Sequence, residues 1–226
     1  MPETLELVLS FCNAKDYSSE ILVVENGSTD RTLQIAQEFA EKYSNLSVYH
    51  ESDRGKGRAV QRGMLEARGG YRFMCDADLS MPIKELNHFL PPELEHFDIA
   101  IASREVPGAV RYEEPYYRHI GGRAINTIIR TFALPDLQDT QCGFKCFRGE
   151  VAEDLFGKLT MTGWSFDIEL LYVARRRGYR IIEIPIPWYF KPESKVNLIR
   201  DALNMIQDIY IIRRNASRGL YGPIFK

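Results

Sequence analysis

Along the first hundred residues, short apolar runs alternate with segments whose apolar positions recur at helical spacing. The stretch PETLELVLSFCNA opens on Pro2 and carries apolar residues at 5, 8, 9 and 12, the spacing of one helix face. SEILVVENGSTD reads as a β-branched strand ending at Glu25-Asn26-Gly27 in turn residues, and STDRTLQIAQEFAEKY as a capped helix. LSVYHE reads as a strand, GKGRAVQRGMLEARG as a helix weakened by Gly63 and closed by Gly69-Gly70, and YRFMCDADLS as a strand. IKELNHFLPPEL predicts a helix stopped by Pro91-Pro92, and FDIAIASRE a further strand.

Strands that are nearly all apolar, separated by helices, predict a mostly parallel sheet covered on both faces, an α/β fold. Ligands of such sheets sit at the carboxyl ends of the strands, which puts Glu25, Asn26, Asp76, Asp78 and Arg104 on one rim. The second half is less regular. EPYYRHIGGRAINTIIRTFAL predicts a helix interrupted at Gly121-Gly122, and TGWSFDIELLYVARRRG an amphipathic helix. YRIIEIPIPWYF predicts one strand confined by Pro185 and Pro187 to an edge or end, and SKVNLIRDALNMIQDIYIIRRNA a long terminal helix. No linker separates the halves, so residues 1–226 are expected to form one domain. Within it two functional halves are expected, about 1–105 and about 106–226.

Composition narrows this only a little. A net charge of −2 argues against a dedicated nucleic-acid binder. The four cysteines show no zinc-type pairing, Cys75 reads as a core thiol, and all four are expected reduced, in a cytoplasmic protein. No apolar stretch is long enough to span a membrane, and the MPETLE start is not that of a signal peptide.

The candidate chemistry centres on DADLS. Two carboxylates one residue apart at a strand end, Asp76 and Asp78, suit Mg²⁺ or Mn²⁺, which take one or two acids and complete their shell with phosphate oxygens and water. The competing reading is a turn in which Asp78 or Ser80 caps the helix after Pro82. RGKGRA adds cations and free N–H groups able to face phosphates, without P-loop spacing, and no G-x-G-x-x-G comes after a strand.

Taken in order, VVENGSTDRT, RGKGRAVQRGMLEARG, DADLS, SRE, DTQCGFKCF and GWSFDIELLYVARRRGYRIIEIPIPW resemble the inverting family 2 glycosyltransferases of GT-A fold. The resemblance runs from about residue 3 to about 215 and is nearest to the polyprenyl-phosphate sugar transferases, dolichyl-phosphate glucosyltransferases among them. It implies transfer of a hexose, glucose first, from a UDP-sugar to a polyprenyl or dolichyl phosphate. It also implies that Asp78 holds the metal and that Asp76 serves metal or ribose. Glu25, Asn26 and Lys56 would lie by the nucleotide, and Arg104, Arg118 and Lys195 by the acceptor phosphate or diphosphate, so the resemblance makes about 1–105 the nucleotide- and metal-binding half and about 106–226 the acceptor half.

Asp139 and Asp167 are the acids expected to face the sugar or act as base, with Asp139 favoured on the acceptor side. Asp167 and Glu169 fall on different helix sides, so at most one should enter the site. Trp164 and Trp188 are read as core aromatics before stacking platforms. The apolar face of the last helix, backed by Arg213-Arg214, is either a packing face or a peripheral contact with the inner membrane surface. Homo-oligomerisation is a further expectation.

The pattern also departs from the family. Members normally begin with a central strand, and this chain opens at the helix after it, which predicts a gap in the sheet, rearranged pairing or a strand borrowed from another chain. The contrasting function is therefore a truncated or degenerate GT-A domain that binds nucleotide weakly or serves as an interaction module.

Overall fold

The computed structural model describes residues 1–191 and 198–223. The alternating first half folds as its pattern predicts: α1 (Pro2–Asn13), β1 (Ile21–Asn26), α2 (Thr32–Lys42), β2 (Leu46–Glu51), α3 (Lys56–Glu66) and β3 (Tyr71–Cys75). A 3-10 helix, Ile83–Phe89, replaces the α-helix expected there, and β4 (Ile99–Ser103) comes next. The second half comprises β5 (Val110–Tyr112), α4 (Tyr116–Phe132), β6 (Phe144–Arg148), α5 (Gly149–Phe156), α6 (Phe166–Arg176), β7 (Ile181–Pro185), β8 (Pro187–Tyr189) and α7 (Leu198–Ser217).

The strands form three sheets. β1 pairs with β2 in parallel; a four-stranded sheet runs β3-β6-β4-β7; β5 pairs with β8 in parallel. β6 runs antiparallel to both β3 and β4, so the four-stranded sheet is mixed, while the β1–β2, β4–β7 and β5–β8 pairings are parallel as expected. Because both flank β6 in the same sense, β3 and β4 are parallel to each other and deliver their carboxyl ends, Cys75-Asp76 and Ser103-Arg104, to one rim. Among the described residues no ladder joins β1 to β3.

Three further expectations change. The strand expected over 179–190 is two, because Pro185 and Pro187 flank Ile186 and each lacks the N–H that a continuous ladder needs. α4 runs unbroken through Gly121-Gly122, held by its packing on α7. Cys75 is exposed rather than core; Cys142 and Cys146 are the buried thiols, and all four are free.

The main core lies between the four-stranded sheet and α5, α6 and α7, with Ile99, Ile101, Phe147, Phe156, Phe166, Leu170 and Ile212 essentially sealed from water. Burying each such side chain is worth roughly 1.5–3 kcal/mol, which outweighs the weak local propensity of short strands. The opposite face packs Phe89, Phe97, Ala100, Phe144 and Ile186. A smaller cluster, Leu5, Leu9, Ile21 and Leu46, holds α1 on the β1–β2 pair, with Val8 and Cys12 beside it as the helical spacing requires.

Candidate active site

The rim at the ends of β3 and β4 collects the charged residues. Asp76 leaves β3 and its amide donates to the Gly143 carbonyl at 3.0 Å. Leu79, at φ 46°, adopts a left-handed conformation that costs a non-glycine residue about 1–2 kcal/mol. The resulting turn closes through Leu79 N–H to the Asp76 carbonyl at 3.1 Å and Ser80 N–H to Asp78 Oδ1 at 2.9 Å. Asp78 thus does make the turn bond weighed from the sequence, yet the residue stays exposed at the rim and that bond engages only its Oδ1. Asp76 is half-buried and meets Lys56 Nζ at 2.7 Å. A Cβ at Gly143 would fall 2.0 Å from Asp76 Oδ2, so any larger residue there would have to displace that carboxylate.

Lys56 comes from the first turn of α3, where the RGKG segment is pinned by Asn26. Asn26 Oδ1 accepts from Gly55 N–H at 2.6 Å and its Nδ2 donates to the Asp53 carbonyl at 2.6 Å. The ammonium also lies 4.9 Å from the ring centroid of Trp164, which is exposed at the site rather than buried in the core. Burial works against the charged form of Lys56, but Asp76 and Asp167 outweigh it and hold its pKa above the ordinary value.

Beneath this pair lies a fully buried ion pair, Lys145 Nζ to Asp167 Oδ1 at 2.5 Å, with Lys145 also donating to the Cys142 carbonyl at 2.6 Å. Burial pushes the Asp167 carboxyl up, against the pull of Lys145 and Lys56. Glu169 points the other way. It accepts from Thr160 N–H, Met161 N–H, the Thr160 hydroxyl and the Tyr221 hydroxyl, and so anchors the loop before α6.

On the far side of Cys142 stands Arg104. Its Nε and Nη2 grip Asp139 at 2.6 and 2.9 Å, and its backbone N–H adds a third bond at 3.0 Å. Asp139 is sealed from water, and its own N–H donates to Glu183 at 2.9 Å. Burial would raise the Asp139 carboxyl, but Arg104 dominates and lowers it to about 2. The Arg104 guanidinium lies 5.4 Å from the Trp188 ring centroid, and that of Arg111 lies 5.7 Å from the same indole. Arg118 lies 5.5 Å from the Phe190 ring centroid.

Two carboxylates from one strand end, beside an ammonium and a fixed guanidinium, are groups of the kind that can hold a divalent cation and phosphate oxygens. The sequence of residues 2–156 matches the family described as Glycosyl transferase family 2.

The chain belongs to glycosyl transferase family 2. It is 36% identical over 204 residues to the glycosyltransferase AglD of Haloferax volcanii, covering 89% of this chain and 32% of AglD. It is 31% identical to a dolichyl-phosphate beta-glucosyltransferase of Dictyostelium discoideum, covering 98% of this chain and 72% of that protein. To the Saccharomyces cerevisiae protein of that name it is 32% identical, covering 94% and 70%. The chain therefore spans about a third of AglD and about seven tenths of the two glucosyltransferases. In fold it is similar to mannosyl-3-phosphoglycerate synthase from Rubrobacter xylanophilus, with a TM-score of 0.66 at 16% identity over 96% of this chain and 70% of that one. It is also similar to glucosyl-3-phosphoglycerate synthase from Mycobacterium tuberculosis in complex with Mn²⁺ and UDP-glucose, with a TM-score of 0.60 at 18% identity over 92% and 74%.

The family's expected residues are only partly brought together. Asp76, Asp78, Lys56 and Asn26 share one rim, and Arg104 lies across the 139–143 loop from them. Glu25 has other work: it is buried, accepts from Ser28 N–H, and binds His50 Nδ1 at 2.6 Å. Burial raises its carboxyl, but the Ser28 and His50 hydrogen bonds prevail and lower it overall. These contacts hold the turn after β1. Asp139 and Asp167 are likewise bound to Arg104 and Lys145, so neither stands as a free base. Lys195 lies outside the described residues. Sequence reasoning missed Gly143, Lys145, Glu183 and Arg111. Lys145, a charge inside the apolar FKCF strand, was the one legible signal among them.

Proposed function

We propose that the chain is the catalytic region of an inverting transferase that moves a hexose, glucose first, from a UDP-sugar to a polyprenyl phosphate. The observation that carries this reading is that both candidate base carboxylates are already ion-paired. A hydroxyl acceptor requires a base within reach. A phosphate monoester, with a second pKa of about 6, is ionised at neutral pH and requires only cations to hold it.

Asp76 and Asp78 fit Mg²⁺ or Mn²⁺ as the protein's share of a shell completed by diphosphate oxygens. Among the described residues no third acid, histidine or cysteine joins them, as this division of ligands requires. When bound, the ion neutralises charge on the departing diphosphate. Lys56 adds a fixed positive charge at the same place. Arg104, locked by Asp139, presents a guanidinium that cannot swing away, and Arg118 supplies a second on the acceptor side; oriented cations of this kind lower the barrier without reorganising. Asp167, tied to Lys145, sets the potential beneath Lys56.

Residues on the neighbouring helices α4 and α7 support peripheral contact with the inner membrane face that carries the acceptor. Tyr116, Tyr117 and Ile120 on α4, and Leu203, Ile206 and Tyr210 on α7, are exposed. Among the described residues no helix is long and apolar enough to cross a membrane.

The split between β1 and β3 favours a second reading, a GT-A domain that binds nucleotide without catalysis. Thermal melting with UDP, GDP and their glucose and mannose conjugates in Mn²⁺ separates the two when combined with a transfer assay. A UDP-selective rise abolished by Asp78→Ala, with sugar transfer to a polyprenyl phosphate, supports the enzyme. Binding without transfer supports the second reading, and no rise with any ligand defeats both.

A further inference from the structure

Helices α4, α6 and α7 enclose a hollow of about 460 Å³ away from the rim. Its wall takes Phe132 and Pro135 from the end of α4 and the loop after it, Tyr172, Arg175 and Arg176 from α6, and Arg213 from α7. Among the described residues no carboxylate lines it. From Asp167 to Arg175 α6 rises about 12 Å, and from Arg118 to Phe132 α4 rises about 21 Å. The hollow thus lies at the carboxyl ends of two helices whose amino ends serve the candidate active site.

Two of the three arginines have structural partners. Arg213 donates through Nη1 to the Phe132 carbonyl at 2.7 Å, which closes the end of α4 and leaves its other nitrogens available. Arg175 pairs through Nη2 with Asp136. Arg176 has no such tie: it is half-buried, and among the described residues its guanidinium meets only the ring of Tyr172, one turn back on its own helix, 6.0 Å from the centroid. Cations near a helix carboxyl end complement the macrodipole. That accounts for arginines in the last turn of α6, but not for their convergence with Arg213 of another helix on one hollow. A partly buried guanidinium without an acid is costly until an anion answers it. The whole chain carries a net charge of −2, so this concentration of positive charge is local.

We propose that this hollow is a second phosphate-binding site, for an organic phosphate whose ionised head meets Arg175, Arg176 and Arg213 and whose carbon body packs on Phe132 and Tyr172. Guanidinium forks match phosphate oxygens in pairs. The volume is that of a small-molecule site and exceeds what a bare phosphate fills, and the two aromatic side chains suit the remainder. Two sources offer this chemistry, a soluble phosphate ester and the headgroup of an anionic phospholipid. The second has a route to the hollow, because exposed Leu203, Ile206 and Tyr210 recur at helical spacing with Arg213 on one face of α7. The inference stands apart from the transferase reading, since it uses none of the rim residues.

The test uses the full 226-residue chain in EDTA, so that no divalent ion recruits phosphate to Asp76 and Asp78. Glycerol 3-phosphate is titrated by calorimetry, and phosphatidylcholine vesicles with and without phosphatidylglycerol are compared by co-sedimentation. Lys56→Ala controls for phosphate held at the rim. Arg176→Ala removes the cation that has no acid partner and should leave the melting temperature unchanged; Arg176→Gln, which keeps a stem over Tyr172, repeats the comparison if the alanine variant melts early. Either glycerol 3-phosphate binds, which identifies the soluble ester, or phosphatidylglycerol alone raises vesicle binding, which identifies the headgroup. In both cases the Arg176 variants should weaken the interaction about tenfold or more, the loss of one charge-assisted contact, while Lys56→Ala leaves it within about twofold. Three results would overturn the proposal: neither probe binding, binding that survives loss of Arg176, or binding abolished by Lys56→Ala.

Discussion

Asp139→Asn is the substitution that most directly tests whether the second acid cluster positions Arg104 or performs chemistry. In the protein the Asp139 carboxylate accepts from Arg104 Nε, Nη2 and N–H and from Gln141 N–H at 3.2 Å, in a site closed to water. An amide in the same space turns one acceptor into a donor aimed at other donors and leaves the guanidinium without its counter-charge. Breaking a buried pair by removing one partner costs about 3–5 kcal/mol. The Arg104 side chain keeps 18% of its exposure, so the lower end applies, about 3 kcal/mol. With a urea m-value of about 2–3 kcal/mol/M, the midpoint should fall by about 1 M at neutral pH.

The pH dependence sharpens this. Folding lowers the Asp139 carboxyl from 3.8 to about 2. Its stabilisation is therefore complete above about pH 4 and is lost as pH falls toward 2, an amount of about 2 kcal/mol. The gap between wild type and Asp139→Asn should shrink from about 3 to about 1 kcal/mol across that window. Urea melts at steps from pH 7 downward give the comparison. A midpoint change under about 0.3 M at neutral pH, or a gap that does not narrow in acid, would refute the account of Asp139 as the anchor of Arg104.

Other residues yield shorter tests. Gly143→Ala puts a methyl 2.0 Å from Asp76 Oδ2 and must displace that carboxylate, so the Mn²⁺-dependent thermal response to UDP should vanish while the chain still folds; an intact response would show that Asp76 has room. Lys145→Met should destabilise by about 3–5 kcal/mol by stranding Asp167, and Lys145→Met with Asp167→Leu should recover most of it, as paired melts would reveal. Tyr221→Phe removes a hydroxyl that donates to Glu169 at 2.7 Å and should cost about 1.5–3 kcal/mol in chemical denaturation. Transfer to a phosphate acceptor should rise with pH through about 6 as the acceptor ionises, and a rate that is flat across that range would point away from a phosphate nucleophile.

Much of this was readable along the chain. The period of apolar residues located α1, β1, α2, β2, α3 and β3, because each buries one face and the burial energy fixes the period. DADLS, RGKG and SRE marked the rim, because strand ends on an α/β sheet lie together whatever the loops do. The partnerships were not readable. Asp139 and Asp167 look alike in sequence to a free base, and only the fold shows Arg104 and Lys145 closing on them from elements 35 and 22 residues away. Strand direction was likewise settled only in three dimensions, since β6 runs antiparallel to both neighbours where apolar runs alone suggested a parallel sheet. Local sequence sets which face of an element is apolar and which residues can ionise. Which charge meets which, and which strand edges are left open, depends on contacts between distant segments, and those exist only once the core has packed.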